Sequence, residues 1–230
     1  MDLSAELGLI LLNLYMTQIG VLIWLVELGN NDIINDVSML ASQLALTQEG
    51  HLEAMFQIFW YLKGHHNAQV IFNPSYPTPD MSMYQEHDWC YFCGGVKEVI
   101  HSNAPYPRGK AVDLRIFFDS DHSVDKLTRW SSTGYIIFLN NATIDWLSKK
   151  QATIETSVFG AECFAMKVGM ETLRIFQYKL RMMVAEILGP SLIYGDNMSV
   201  IHNTQRPEST LRRKSNSICY HTIRESVEMK

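Results

Sequence analysis

Three acidic residues lie at positions where their carboxylates could do chemistry. Asp119 follows an apolar run at residues 116–118, Asp196 follows a second run at 192–194, and Glu162 lies in an apolar helical segment. Carboxylates held close together repel one another unless a divalent cation neutralises them, and hard oxygen ligands favour Mg²⁺ or Mn²⁺. Two such ions roughly 4 Å apart would activate a water molecule and stabilise the leaving oxygen in phosphodiester cleavage. Spacing alone leaves open the alternative that each Asp is a turn or capping residue.

Apolar periodicity predicts the elements that would position these acids. The runs that predict strands are residues 114–118, 135–139, 144–147 and 192–194. The patterns that predict helices are residues 158–180, 198–202 and 217–229. Thr156 or Ser157 would cap the first of these helices, and Asn140 with Asn141 would join the second and third strands as an antiparallel pair.

The predicted order β-β-β-α-β-α indicates an α/β fold with a mixed sheet. In that fold, the strands that precede Asp119 and Asp196 would be neighbours, and both acids would lie at the carboxyl ends, where open α/β sheets place their sites. Glu162 would lie about one and a half turns into the crossover helix, so its side chain can face the same edge.

The preceding part of the chain is predicted to be helical. Helical patterns cover residues 5–28, 32–46 and 48–64, with Asn31-Asp32 as the N-cap of the second, and residues 70–72 are a strand candidate. Five prolines mark residues 73–109 as irregular. We therefore divide the chain into a helical subdomain at 1–72, a linker at 73–110 and an α/β domain at 111–230.

Composition and charge limit the class of protein. The 230 residues are 47% hydrophobic, which is ordinary for a globular chain with a core. The net charge of −5 does not indicate a nucleic-acid binder, but charge is uneven. Residues 1–62 hold seven acids and no Lys or Arg, so the rest of the chain holds all 19 basic residues and 17 of the 24 acids.

The four cysteines are too few and too irregular for a secreted disulfide framework, which indicates a reducing, intracellular compartment. His87, Cys90, Cys93 and His101 form a possible zinc pattern, but a lone C-x-x-C supports it weakly. Ordinary loop and core cysteines are the better interpretation.

Residues 7–26 carry no charge and are long enough to span a membrane. Asn13, Thr17 and Gln18 lie in the middle of this segment, and its flanks are acidic, without the basic residues that orient a span. A signal peptide would need a basic amino-terminal region. We therefore favour a buried helix over a membrane helix.

From about residue 15 to its end, the chain resembles the carboxyl-terminal part of a copia-type retrotransposon polyprotein, namely the end of the reverse transcriptase followed by its ribonuclease H domain. The motifs that carry the resemblance are NDI (31–33), VS (37–38), YLKG (61–64), FDSD (118–121), SSTGY (131–135), WLSKKQ (146–151), AE (161–162), YGDN (194–197), YH (220–221) and RE (224–225). Each match is short, but their order and spacing together are specific.

The resemblance implies a ribonuclease H-like fold and hydrolysis of the RNA strand of RNA·DNA hybrids with two Mg²⁺ or Mn²⁺ ions. By position, Asp119, Glu162 and Asp196 match three of the family's metal-binding, catalytic carboxylates. The chain would lie in the cytoplasm or nucleus, with the rest of the reverse transcriptase as a further partner and without membrane contact.

The chain also departs from the family pattern. The paired aspartates of the polymerase are absent, and a basic, His-containing run is replaced at residues 215–217. The family continues into a further strand and a fourth acid, whereas this chain stops at Lys230. We therefore expect a domain that is incomplete at its last strand. The alternative function is an inactive remnant that at most binds nucleic acid.

Basic and polar residues near the acids are candidates for substrate contact. Basic side chains would meet phosphates without sequence preference, and Ser or Asn would contact the 2′-hydroxyl that distinguishes RNA. The candidate residues are Lys149, Lys150, Asn197, Ser199, Arg212, Arg213 and Lys214. A solvated surface explains the basic residues equally well.

Overall fold

The computed structural model describes residues 4–82, 84–94, 96–123, 129–211 and 214–229. Its first part contains three α-helices, as predicted: α1 (Leu9–Glu27), α2 (Ile34–Ala41) and α3 (Glu49–Gly64). The predicted Asn31-Asp32 cap is wrong, because a 3₁₀ turn over Asn31–Ile33 leads into α2 without a capping side chain. The second helix also ends earlier than predicted, because residues 42–45 form turns.

These three helices share one hydrophobic core. The phenol of Tyr15 in α1 is fully buried and donates a hydrogen bond of 2.8 Å to the carbonyl of Leu40 in α2. Met55, from α3, is also fully buried. A buried phenol needs such a partner, since an unpaired hydroxyl in an apolar core is destabilising.

The segment between the helices and the sheet is mostly irregular, as predicted. A four-residue helix, α4 (Cys90–Cys93), was not anticipated. The strand predicted at residues 70–72 is wrong: these residues have no regular structure, and Ile71 and Phe72 are exposed. A three-residue apolar run forms a strand only where a neighbouring strand can pair with its backbone.

The sheet contains four strands: β1 (Leu114–Asp121), β2 (Ser132–Leu139), β3 (Ala142–Lys150) and β4 (Leu192–Tyr194). Their order is β3-β2-β1-β4. The first three form the predicted antiparallel meander, and β4 pairs with β1 in parallel. Asn140 forms the tight turn between β2 and β3 with a φ of 56°, a conformation that Asn tolerates better than most residues.

Three helices accompany this sheet: α5 (Val158–Met182), α6 (Met198–Gln205) and α7 (Ser217–Met229). The long helix α5 lies against β1 and β2. Ile116 and Phe118 of β1 are buried against Met166 and Met170 of α5 in the larger of two hydrophobic cores. A Cβ atom on Gly169 would lie 3.0 Å from Ile116 Cδ1, so this glycine permits the close approach of helix and strand.

The architecture is therefore α/β with a mixed four-stranded sheet, which confirms the predicted fold class and is compatible with a ribonuclease H-like fold. The helical part packs against β3, whose neighbouring residues Trp146 and Leu147 contact the helical core and the sheet core respectively. Trp146 Nε1 donates to the carbonyl of Val26 at 3.2 Å. The domain limits at 72 and 110 remain a prediction.

Helix α1 is only partly buried. Tyr15, Ile19, Leu22 and Val26 form its buried stripe, whereas Ile10 is 85% exposed. With a mean hydropathy of 2.0, the helix is long and apolar enough to cross a membrane by length and composition. The choice between a protein-buried and a membrane helix therefore remains a prediction.

Helix α5 begins at a capping residue that can be tested directly. Ser157 Oγ accepts the backbone N–H of Gly160 at 3.2 Å. We expect Ser157→Ala to lower the free energy of unfolding by about 1 kcal/mol, because that N–H loses its partner. Thr156→Ala is the matched control, and urea unfolding measures both variants. A larger loss for the exposed Thr156 would contradict the assignment of the cap.

Candidate metal centre

The structure brings together the three acids that the sequence singled out. Asp119 is the sixth residue of β1, Glu162 is the fifth residue of α5, and Asp196 lies between β4 and α6. One ligand oxygen from each carboxylate lies within 4.8 Å of the other two. Three elements that are far apart in the chain thus place three negative groups at one edge of the sheet.

Glu162 differs from the other two acids in its surroundings. Its side chain is 4% exposed, whereas Asp119 and Asp196 are exposed. Burial raises the pKa of Glu162 to about 7; Ser120 opposes the rise, and the charges of Asp119 and Asp196 add to it. A bound cation would offset both the burial of the Glu162 carboxylate and its repulsion by Asp119 and Asp196, because its positive charge stabilises the ionised form.

The residues present fit a metal ion. Glu162 Oε2 is buried and has no hydrogen-bond partner among the described residues, so it is available as a ligand atom. The donor set consists only of carboxylate oxygens, and two of the acids are open to solvent, through which an ion can enter. The cluster can therefore bind a metal ion.

Two glycines give the acids room. A Cβ atom on Gly195 would clash with the ring of Phe118, so a glycine lets the chain pass over this ring and bring Asp196 beside β1. Gly134 of β2 lies directly opposite Asp119 in the antiparallel register, so no cross-strand side chain stands beside that carboxylate.

Gln151 fixes the start of α5 relative to the sheet. Its side-chain Nε2 donates to the Thr133 hydroxyl and to the carbonyl of Ala161, both at 3.0 Å, and its backbone N–H donates to Ser131. Because Ala161 precedes Glu162, these bonds position the buried acid. The roles of Gln151 and Gly195 are not evident from the sequence, although both residues lie in the motifs quoted above, because their tertiary contacts define what they do.

The predicted substrate-contact residues are distributed unevenly, and their role remains a prediction. Lys149 is exposed at the end of β3, and the Lys150 ammonium lies 5.2 Å from the ring centroid of Trp130. Asn197 is the N-cap of α6 and accepts from the backbone N–H groups of Ser199 and Val200. Exposed positions are also occupied by Ser199 and Lys214, whereas Arg212 and Arg213 lie outside the described residues.

The zinc pattern is not assembled by the described side chains. His87, Cys90 and His101 do not come together as potential ligands, and the side chain of Cys93 is not among those described. Within the described part of the chain, the three acids are the group of potential metal ligands that does converge.

Comparison with known proteins finds transposon polyproteins. The chain is 25% identical over 197 residues to the retrovirus-related Pol polyprotein from transposon RE1 of Arabidopsis thaliana, a match that covers 86% of the chain and 11% of that relative. It is 26% identical over 217 residues to the corresponding polyprotein from transposon TNT 1-94 of Nicotiana tabacum, covering 93% of the chain and 13% of the relative. No family model matches the chain.

These relatives confirm the coarser part of the predicted resemblance. They support a retrotransposon polyprotein as the source of the chain, since the similarity extends over most of its length. The chain spans only 11 to 13% of the length of the relatives. Their names do not identify which portion of the polyprotein it represents.

The raised pKa of Glu162 predicts an unusual pH dependence of stability. Ionisation is harder in the folded state, where the pKa is about 7, than in the unfolded chain, where it is near 4.3. Without metal, the contribution of Glu162 to stability is therefore fully present below about pH 4 and is lost as the pH rises towards 7. The solvent-open site reduces the full effect of the shift, and we expect a loss on the order of 2 kcal/mol.

Urea unfolding in EDTA, compared between wild type and Glu162→Gln, measures this dependence. The variant should lack the loss between pH 4.5 and 7 that the pKa of about 7 causes, because its amide does not ionise. Equal pH profiles for the two proteins would contradict the desolvation of Glu162.

Proposed function

We propose that this chain is the ribonuclease H-type portion of a retrotransposon polyprotein and hydrolyses the RNA strand of RNA·DNA hybrids. The observation that carries the proposal is the convergence of Asp119, Glu162 and Asp196 from three elements at one edge of a mixed sheet. A structural role does not account for this grouping, because it places a buried carboxylate with an unpaired oxygen beside two others.

The comparisons support the polyprotein, and the choice of the ribonuclease H portion is ours. It is supported by the motifs shared with copia-type elements and by the positions of the three acids, which lie in the first strand, in the crossover helix and just after the parallel fourth strand. No activity of the much longer relatives is transferred as a whole. The paired aspartates expected of a polymerase are not part of this sequence.

Each acid would have a separate task in this reaction. Asp119 and Asp196 are exposed and would hold the cations where substrate phosphates can reach them. Glu162 is buried and would bind the cations from the protein interior. Two Mg²⁺ or Mn²⁺ ions bound there would supply water activation and neutralisation of the charge on the leaving oxygen. Gln151 and the Ser157 cap would keep Glu162 in place throughout.

Substrate contacts would come from the surface around the acids. Lys149, the penultimate residue of β3, lies at the same end of the sheet as Asp119, because their partners in β2, Thr133 and Gly134, are neighbours. We propose that it contacts phosphates, together with Lys150 and Lys214. Ser199 is exposed three residues after Asp196 and is the better candidate for the 2′-hydroxyl, since the side-chain oxygen of Asn197 already caps α6.

The proposal includes the cellular setting. We propose that the chain acts in the cytoplasm or nucleus, beside the rest of the reverse transcriptase. The exposed apolar side of α1 would then pack against protein rather than lipid, because residues 1–62 contain no Lys or Arg to anchor a membrane helix.

Metal binding can be measured without any activity. We expect Mg²⁺ at about ten times its dissociation constant to stabilise the folded chain by roughly 1.4 kcal/mol, or a few degrees in Tm. Asp119→Asn should raise Tm in EDTA, because it relieves repulsion, and should remove most of the response to Mg²⁺. Asp36→Asn, on the exposed surface of α2, is the matched control and should retain the response. A wild-type Tm that is unchanged by Mg²⁺ and Mn²⁺ would contradict the site.

Hybrid cleavage tests the reaction itself. With Mg²⁺ and an RNA·DNA duplex labelled on the RNA strand, we expect cleavage that falls at least about 100-fold in Asp119→Asn and in Asp196→Asn. Asp36→Asn should retain it. A chain that folds and binds Mg²⁺ but leaves the hybrid intact would refute the ribonuclease and support the alternative, an inactive remnant that at most binds nucleic acid.

A further inference from the structure

Two cysteines meet where α5 and α7 pack together, and one of them is the residue after Glu162. Cys163 follows Glu162 in α5, and Cys219 is the third residue of α7. Their Sγ atoms lie 3.3 Å apart, although the two residues are 56 positions apart in the chain. Cys163 is fully buried, while Cys219 is partly exposed, so the pair can be reached from solvent through Cys219.

Hydrogen bonds hold the two thiols in this arrangement. Cys219 Sγ donates to the carbonyl of Cys163 at 2.9 Å, and the two sulfur atoms contact each other. The hydrogen bond with Cys163, together with burial, raises the pKa of the Cys219 thiol. The thiol is therefore the resting form, and any exchange that begins at Cys219 is slow compared with that of an ordinary exposed cysteine.

The proposed hydrolysis uses neither sulfur atom. A disulfide needs its sulfur atoms at about 2.05 Å, so the pair would have to close by somewhat more than 1 Å. Both thiols already lie at the contact between α5 and α7, so the movement that the bond requires is small.

We propose that Cys163 and Cys219 are a reversible oxidation site that forms a disulfide when the chain meets a low-molecular-weight disulfide such as glutathione disulfide. The partly exposed Cys219 attacks one sulfur of the oxidant and forms a mixed disulfide, releasing one molecule of thiol. Cys163 then attacks Cys219 Sγ, forms the protein disulfide and releases the second molecule of thiol. The protein loses two hydrogens, and the oxidant is reduced to two thiols.

The cross-link joins the helix that carries Glu162 to the first turn of α7. The cross-link closes a loop between residues 56 positions apart and so lowers the conformational entropy of the unfolded chain. The oxidised protein should therefore melt at a higher temperature. The expected rise in Tm is roughly 5–15 °C for a loop of this length in a chain of this size.

The test uses the full chain with Cys90→Ser and Cys93→Ser, which leaves only the proposed pair. After equilibration with excess glutathione disulfide, the protein is denatured and alkylated, and its intact mass is measured by mass spectrometry. We expect a product two hydrogens lighter, with no alkylation and no glutathione adduct, and with the higher Tm. Dithiothreitol should restore two alkylatable thiols and the original Tm.

Adding Cys219→Ser to the same protein gives the matched control, which should keep Cys163 alkylatable and its Tm unchanged. A product that keeps two alkylated thiols, or that stops at glutathione on Cys219, would overturn the proposal. If the double-serine protein does not fold by circular dichroism, the wild-type chain is oxidised and digested instead. A cross-linked peptide that contains both cysteines supports the proposal, and its absence overturns it. Because these readouts are thiols and Tm, their failure is distinct from a failure of the hydrolysis.

Discussion

The carboxylate of Glu162 is a group that burial and two neighbouring charges both disfavour, and the fold around it has to hold it in place. The opposing stabilisation comes from the interface between α5 and β1. Apolar side chains such as Ile116 and Met170 are almost fully buried there, and each contributes about 1.5–3 kcal/mol relative to exposure. The hydrophobic core thus has two roles. It stabilises the domain, and it offsets the unfavourable free energy of the charge repulsion in the cluster.

The positions of α5 and of the segment that carries Asp196 depend on four residues. Ser157 sets where the helix begins, Gln151 ties its first turn to the sheet, and Gly169 lets it lie close to β1. Gly195 does the same for the segment that carries Asp196, which crosses the ring of Phe118. None of these residues carries charge, yet together they determine how near the three carboxylates come.

Much of this arrangement can be predicted from sequence, for identifiable reasons. Apolar runs and turn residues predict strands β1 to β4 and helix α5. The reason is that the face buried in the core requires apolar residues at the spacing of a strand or a helix. The run at 70–72 shows the limit, because an apolar triplet does not reveal whether a partner strand is present. Gln151 and Gly195 were equally invisible as positioning residues, because their partners, Ala161 and Phe118, are set by the tertiary fold. The substrate contacts and the ribonuclease activity remain predictions.

Strand β4 has only three residues, and its one partner in the described sheet is β1, which lies far back in the chain. The connections of the β1–β2–β3 meander are ten and two residues long, whereas β4 follows β1 only after the whole of α5. Loop closure of that length is slow, so local hairpins form first on topological grounds. We therefore expect the apolar scaffold to assemble before Asp196 arrives, so that the repulsion between Asp196 and the other two acids enters last.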